Sequence, residues 1–170
     1  NLISIILYKE TGLLPSLKIV DRPDLERENA SGALIIGDEA LKVDPLWSAK
    51  YNRLDLGMWW WENFSLPMVF GVWVGRKEFA REHEKAFLHI EKSLNQARDS
   101  GLSEMLPQVV KEASKIMGLP SERVEKYFSE ELEYTLSNKH LESIQIYENL
   151  LNELNLLPSV NPIQKKELVK

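Results

Sequence analysis

Two adjacent residues, Gly37 and Asp38, have the types and the position that ligand contact requires. They follow an unbroken apolar run at residues 33–36, which predicts a buried strand, and they precede a stretch of helical character. Open α/β sheets bind ligands at the carboxyl ends of their strands, where such turns lie. Asp38 also suits the N-cap of the helix, because its carboxylate can accept backbone N–H groups. The two roles of Asp38 are compatible, and a lone glycine here more often makes a tight turn than a ligand contact.

The tryptophans are a second unusual feature, because three of them are consecutive at residues 59–61. Successive residues of a helix diverge by about 100°, so the three side chains do not share one face. At least one of them is therefore expected to be exposed or to meet another part of the protein. Packing is the simpler interpretation of this cluster, and an aromatic wall for a planar ligand is the alternative.

Metal, thiol and phosphate-loop chemistry are not supported by the residues present. The chain has no cysteine, which excludes disulfides, thiolate nucleophiles, Cys-ligated zinc and iron–sulfur clusters. His83 and His89 lie six residues apart in a helical stretch and do not form a zinc-protease motif. The glycines before Arg76 lack the spacing of a phosphate loop, and no Ser or Thr follows the adjacent lysine. We therefore predict no metal and no cofactor.

The overall composition is that of an ordinary soluble globular chain. Its 170 residues are 44% apolar and 28% charged, with a formal net charge of −5. A general nucleic-acid binder normally has a basic excess, so this charge argues against nucleic acid as a partner. The longest apolar runs, at residues 33–37 and 68–75, are far shorter than the roughly 20 residues that span a bilayer. No membrane partner is predicted.

The elements along the chain alternate in type before becoming helical. Short apolar runs at residues 17–20, 33–36 and 68–74 predict strands, while residues 1–10 fit either a helix or a strand. Apolar residues at helical spacing between Phe79 and Ala97 predict one long amphipathic helix, with further helices at 103–117, 121–132 and 141–154. This alternation predicts an α/β fold.

Two segments together resemble a known family. Residues 33–41 (ALIIGDEAL) are similar to the ALLIGDxAL segment of the menaquinone-biosynthesis family that contains chorismate dehydratase. Residues 54–60 (LDLGMWW) and 66–73 (LPMVFGVW) resemble that family's DLGxxWxxxTGLPFVFAVW stretch, in the same order and spacing. Ser65-Leu66-Pro67 stands in place of the family's usual Thr-Gly-Leu-Pro. The resemblance extends over roughly residues 1–158 and is specific in these central motifs.

The resemblance implies the fold of type II periplasmic binding proteins, in which two α/β lobes enclose a ligand cleft. We therefore expect an α/β two-lobed fold that is incomplete at its N-terminus, and the absence of an initiator Met agrees with this expectation. The expected domains are the remainder of one lobe (1–66), a crossing strand or hinge (67–75), the helical part of the other lobe (76–158) and a flexible tail (159–170).

The resemblance also implies a reaction. Chorismate dehydratase is a cytoplasmic hydro-lyase that forms 3-[(1-carboxyvinyl)oxy]benzoate in the futalosine route to menaquinone and uses no cofactor. The expected partner is a small-molecule carboxylate, and a homodimer is left open. Two alternatives remain, which are a non-catalytic small-carboxylate binding protein of the same fold and the sister dihydroxynaphthoate synthase. The lack of a histidine before His83 weighs against a histidine base in the first lobe.

The resemblance assigns substrate-binding roles to three groups of residues. Gly37 and Asp38 match the family's Gly-Asp at the cleft. Phe70, Gly71 and Trp73 match its crossing strand. Asn1 and Ser4 lie where the family begins a helix with a Ser/Thr carboxylate site. No catalytic residue is assigned.

Overall fold

The computed structural model describes residues 1–21 and 29–157, and its regular structure is helical. In chain order the helices are α1 (Leu2–Thr11), α2 (Gly37–Trp47), α3 (Leu56–Phe64), α4 (Lys77–Glu82), α5 (Glu84–Gly101), α6 (Leu106–Met117), α7 (Ser121–Lys126) and α8 (Asn138–Glu153). A π-helical turn at Tyr127–Glu131 follows α7 directly.

The predicted α/β fold is wrong for the part of the chain that the structure describes, because no β-strand occurs there. The predicted strands at residues 17–20, 33–36 and 68–74 have no regular secondary structure. Several of their apolar side chains are also exposed, by 99% at Ile19, 75% at Ile36 and 86% at Trp73. An apolar run can favour an extended backbone, but a strand exists only when a neighbouring strand completes its hydrogen-bond ladder. For residues 1–21 and 29–157, the expectation of a two-lobed periplasmic-binding-protein-like fold is therefore corrected to a helical arrangement.

The helical predictions need smaller corrections. Residues 1–10, left open between helix and strand, form α1, which ends at Gly12 with a left-handed φ of 73°. The long helix expected between Phe79 and Ala97 is two helices, because His83 adopts φ −130° and ψ 47° and separates α4 from α5. Apolar spacing does not reveal such a break, since the residues on both sides keep the helical period.

The chain forms two compact units. The first consists of the described parts of 1–34, 53–69 and 137–170, and the second of residues 35–52 and 70–136. The domain boundaries predicted from the resemblance stay predictions. The expected flexible tail at 159–170 lies outside the described residues.

The core of the first unit contains one pair of buried residues from each of three helices. These are Ile5 and Ile6 of α1, Trp59 and Trp60 of α3, and Leu150 and Leu151 of α8. Helix α3 begins at a side-chain cap, where Oδ1 of Asp55 accepts hydrogen bonds from the backbone N of Gly57 at 3.0 Å and of Met58 at 3.1 Å. Such a cap satisfies N–H groups that have no partner within the helix.

The core of the second unit lies where α6 meets α7. Val110 and Met117 of α6 and Val124 of α7 are its buried members. The guanidinium of Arg123 donates two hydrogen bonds of 3.0 Å each to the carboxylate of Glu131, so a bidentate ion pair joins α7 to the end of the π-helical turn.

Candidate functional site

The turn at Gly37 connects an extended segment to helix α2. Ile36, at the N-cap, has an extended backbone with φ −131° and ψ 162°, and Gly37 then adopts a left-handed φ of 63°. A Cβ built on Gly37 would meet no atom within 4 Å, so space does not explain the glycine. Its backbone conformation does, because residues with a Cβ adopt a left-handed φ at a cost of about 1–2 kcal/mol. The sequence prediction of a tight turn at Gly37 is therefore confirmed.

Asp38 lies in the first turn of α2 and is exposed to solvent. The N-cap is Ile36 rather than Asp38, and the Ile36 side chain makes no capping hydrogen bond. The prediction that Asp38 serves as the N-cap is therefore wrong. Its carboxylate remains close to the positive end of the helix dipole, where a negative charge is favourable.

Charged side chains of both signs lie near this helix start. Asp38 and Glu39 are both in the first turn, and Glu39 Oε1 lies 2.8 Å from Nζ of Lys42. An exposed pair of this kind contributes about 0–1 kcal/mol. It does, however, give Glu39 a cationic neighbour on its own helix.

The residues matched to the family's crossing strand belong to the second unit, as Gly37 and Asp38 do. The rings of Phe70 and Trp73 are exposed by 72% and 86%. A Cβ at Gly71 would meet no atom within 4 Å. These two aromatic rings are therefore accessible to a planar ligand, although the predicted strand that would carry them is absent.

The remaining predicted residues, Asn1 and Ser4, belong to the first unit and lie at the start of α1. Asn1 is exposed, and its Nδ2 donates to the carbonyl oxygen of Leu156 at 3.4 Å. Ser4 is buried. Asn1, the N-cap of α1, is therefore accessible to solvent, whereas the Ser4 side chain is not.

Two tyrosines have perturbed acidity, and sequence reasoning singled out neither as ionisable. Burial raises the pKa of Tyr134 above its ordinary value, and the nearby Tyr127 raises it further. Burial also raises the pKa of Tyr147. Tyr134 lines an open depression of about 310 Å³ together with Phe128 and Leu132. The guanidinium of Arg98 in the same wall lies 2.7 Å from the carboxylate of Asp99, so its charge is already paired.

Metal binding finds no support in residues 1–21 and 29–157. These residues contain no group of three or more His, Cys, Asp or Glu side chains that could hold a metal ion. His83 packs against Phe79 with ring centroids 5.1 Å apart, and His140 takes part in the cap of α8. Within the same residues, none of the helices is long and apolar enough to cross a membrane.

Comparison with known proteins identifies the family. No solved structure matches this chain. A model of the menaquinone biosynthesis family matches residues 1–153, a range that includes the Gly37–Asp38 turn and the aromatic segments on both sides of Pro67. This match extends over most of the 170 residues and confirms the resemblance seen in the central motifs. The chain therefore belongs to the menaquinone biosynthesis family.

Proposed function

We propose that this chain acts in the dehydration of chorismate to 3-[(1-carboxyvinyl)oxy]benzoate, as a hydro-lyase of menaquinone biosynthesis. The observation that carries the proposal is the Gly37–Asp38 turn, where a left-handed glycine places an exposed carboxylate in the first turn of a helix whose N-cap residue makes no capping hydrogen bond. The family match supports menaquinone biosynthesis as the pathway in which the chain acts.

The reaction makes modest chemical demands on the protein. The C–H bond at the ring carbon that bears the ether and the C–O bond of the neighbouring hydroxyl both break, a ring double bond forms, and one water molecule leaves. Conjugation with the ring carboxylate makes the departing proton acidic, and the aromatic product provides the driving force. The protein must hold a dianion in one orientation and stabilise negative charge as it develops.

The start of α2 provides groups for the first of these tasks. Backbone N–H groups of the first helical turn have no intrahelical partner, and the N-cap residue Ile36 has no side chain that could accept from them. A carboxylate can bind such groups and gains further from the helix dipole. We assign one carboxylate of the substrate to these N–H groups.

Asp38 suits a different part of the substrate. A hydroxyl group of the substrate can donate a hydrogen bond to the Asp38 carboxylate. We therefore assign Asp38 to the ring hydroxyl that leaves as water. Phe70 and Trp73 are assigned to the ring face, because their exposed side chains can stack on a planar ligand.

The direct test is to incubate the protein with chorismate and to separate the products by chromatography. The expected result is loss of chorismate and appearance of the aromatic enolpyruvyl ether. Protein that is folded and binds chorismate without converting it would overturn the proposal in favour of a non-catalytic carboxylate-binding protein.

The sister activity is distinguished by its substrate. Dihydroxynaphthoate synthase acts on a cyclised intermediate later in the same route, so that intermediate is offered to the same preparation. Release of dihydroxynaphthoate, with chorismate untouched, would assign the chain to the later step.

The role of Asp38 is tested by Asp38→Asn, which removes the charge and keeps the shape of the side chain. We expect kcat/KM for chorismate to fall at least about tenfold, which corresponds to about 1.4 kcal/mol, the scale of one hydrogen bond to a charged group. The matched control is Glu39→Gln, which removes the neighbouring charge of the same helical turn and is expected to leave kcat/KM nearly unchanged. Equal kinetics for Asp38→Asn and the parent, or an equal loss in both variants, would contradict the assignment.

A further inference from the structure

No further inference is drawn: the strongest candidate, the exposed apolar segment at residues 70–74 of the second unit, is a surface for which nothing in the structure shows what covers it.

Discussion

At the residue scale, the three consecutive tryptophans have three different environments. Trp60 is fully buried, Trp59 is nearly so, and Trp61 is 49% exposed, as the angular spacing along a helix requires. The indole Nε1 of Trp60 donates to Oγ of Ser143 at 2.8 Å, and that of Trp59 donates to Oε1 of Glu10 at 2.6 Å. These two hydrogen bonds join α3 to α8 and to α1. The simpler interpretation, that these tryptophans pack in the core, therefore holds for Trp59 and Trp60.

The Trp60–Ser143 hydrogen bond leads to a prediction about stability. Ser143→Ala leaves a fully buried indole N–H without its acceptor, and a buried donor in that state destabilises a fold by about 1–3 kcal/mol. We expect a loss of this size in the free energy of unfolding, measured by urea denaturation with tryptophan fluorescence. The control Ser93→Ala removes an exposed hydroxyl from α5 and is expected to change stability by less than about 0.5 kcal/mol. Equal stabilities of the two variants would show that the hydrogen bond is not important.

Tyr147 gives a prediction about pH. Its ring lies 5.9 Å from that of Trp60, nearly perpendicular to it, and burial raises its pKa above the ordinary value of 10.0. In the unfolded chain the phenol ionises at the ordinary value, whereas the folded state holds the proton to higher pH. The stability that this provides is fully present below pH 10.0 and is lost as the pH rises through the folded-state pKa.

Tyr147→Phe removes this ionisable group. We expect the free energy of unfolding to fall less steeply above pH 10.0 in the variant than in the parent, as measured by chemical denaturation at a series of alkaline pH values. Absorbance titration of tyrosinate provides an independent measurement of the shift. Parallel curves for the two proteins would contradict the prediction.

At the scale of elements, the start of α8 is a cap that joins Ser137 and His140. The backbone N of Ser137 donates to Nδ1 of His140 at 3.1 Å, and Oγ of Ser137 lies 2.8 Å from the same nitrogen. The two residues form a capping box in which histidine occupies the position usually held by Glu or Gln. Apolar spacing predicts α8 from residue 141 onward, but it contains no information about this unusual cap.

The capping box predicts that His140→Gln is tolerated better than His140→Ala. Glutamine can accept the same backbone hydrogen bond, whereas alanine leaves that N–H without its partner, a difference of about 1 kcal/mol. Urea denaturation of both variants measures this difference directly. His140 is buried, so the alanine variant also loses more packing than the glutamine variant, and His140→Met, which is similar in size to glutamine but lacks the amide oxygen, is the control for that loss. A glutamine variant no more stable than the alanine variant would exclude the capping role.

At the scale of the whole molecule, the main feature is exposed apolar surface on segments without regular structure. Phe70, Val72, Trp73 and Val74 are all exposed although they follow one another closely. Apolar, β-prone segments with no strand partner are recognised sites of self-association. Single exposed apolar residues on a helix are different, because the backbone N–H and C=O groups beside them are already hydrogen-bonded within the helix.

This contrast predicts different effects for two substitutions that each place a lysine at an exposed apolar position. Val72→Lys lies in the irregular segment and is expected to lower the rate of aggregation several-fold, because a charge opposes strand pairing. Ile116→Lys lies on α6 and is expected to have a much smaller effect. Light scattering at matched concentrations measures both rates. Equal reductions would show that apolar surface in general, and not this segment, governs aggregation.

Much of the local structure and the family could be predicted from sequence. Helix positions after residue 79 follow from apolar periodicity, and the turn at Gly37 follows from an apolar run that ends at a glycine. The family follows from two motifs of specific order and spacing. These features depend on residues close together in the chain, and short-range rules of backbone geometry and helical spacing describe them.

The predicted α/β fold failed because it depends on contacts that sequence periodicity does not contain. Residues 33–36 and 68–74 have strand-like composition, but a strand needs a hydrogen-bonded neighbour, and none is present in the described chain. The break at His83, the Ile36 N-cap and the histidine cap of α8 likewise depend on particular backbone angles and hydrogen bonds. Sequence alone thus determined the family, the Gly37 turn and most of the helices, whereas tertiary structure decided which apolar segments are buried. The reason is that burial and strand pairing depend on which distant residues meet, and local pattern does not specify them.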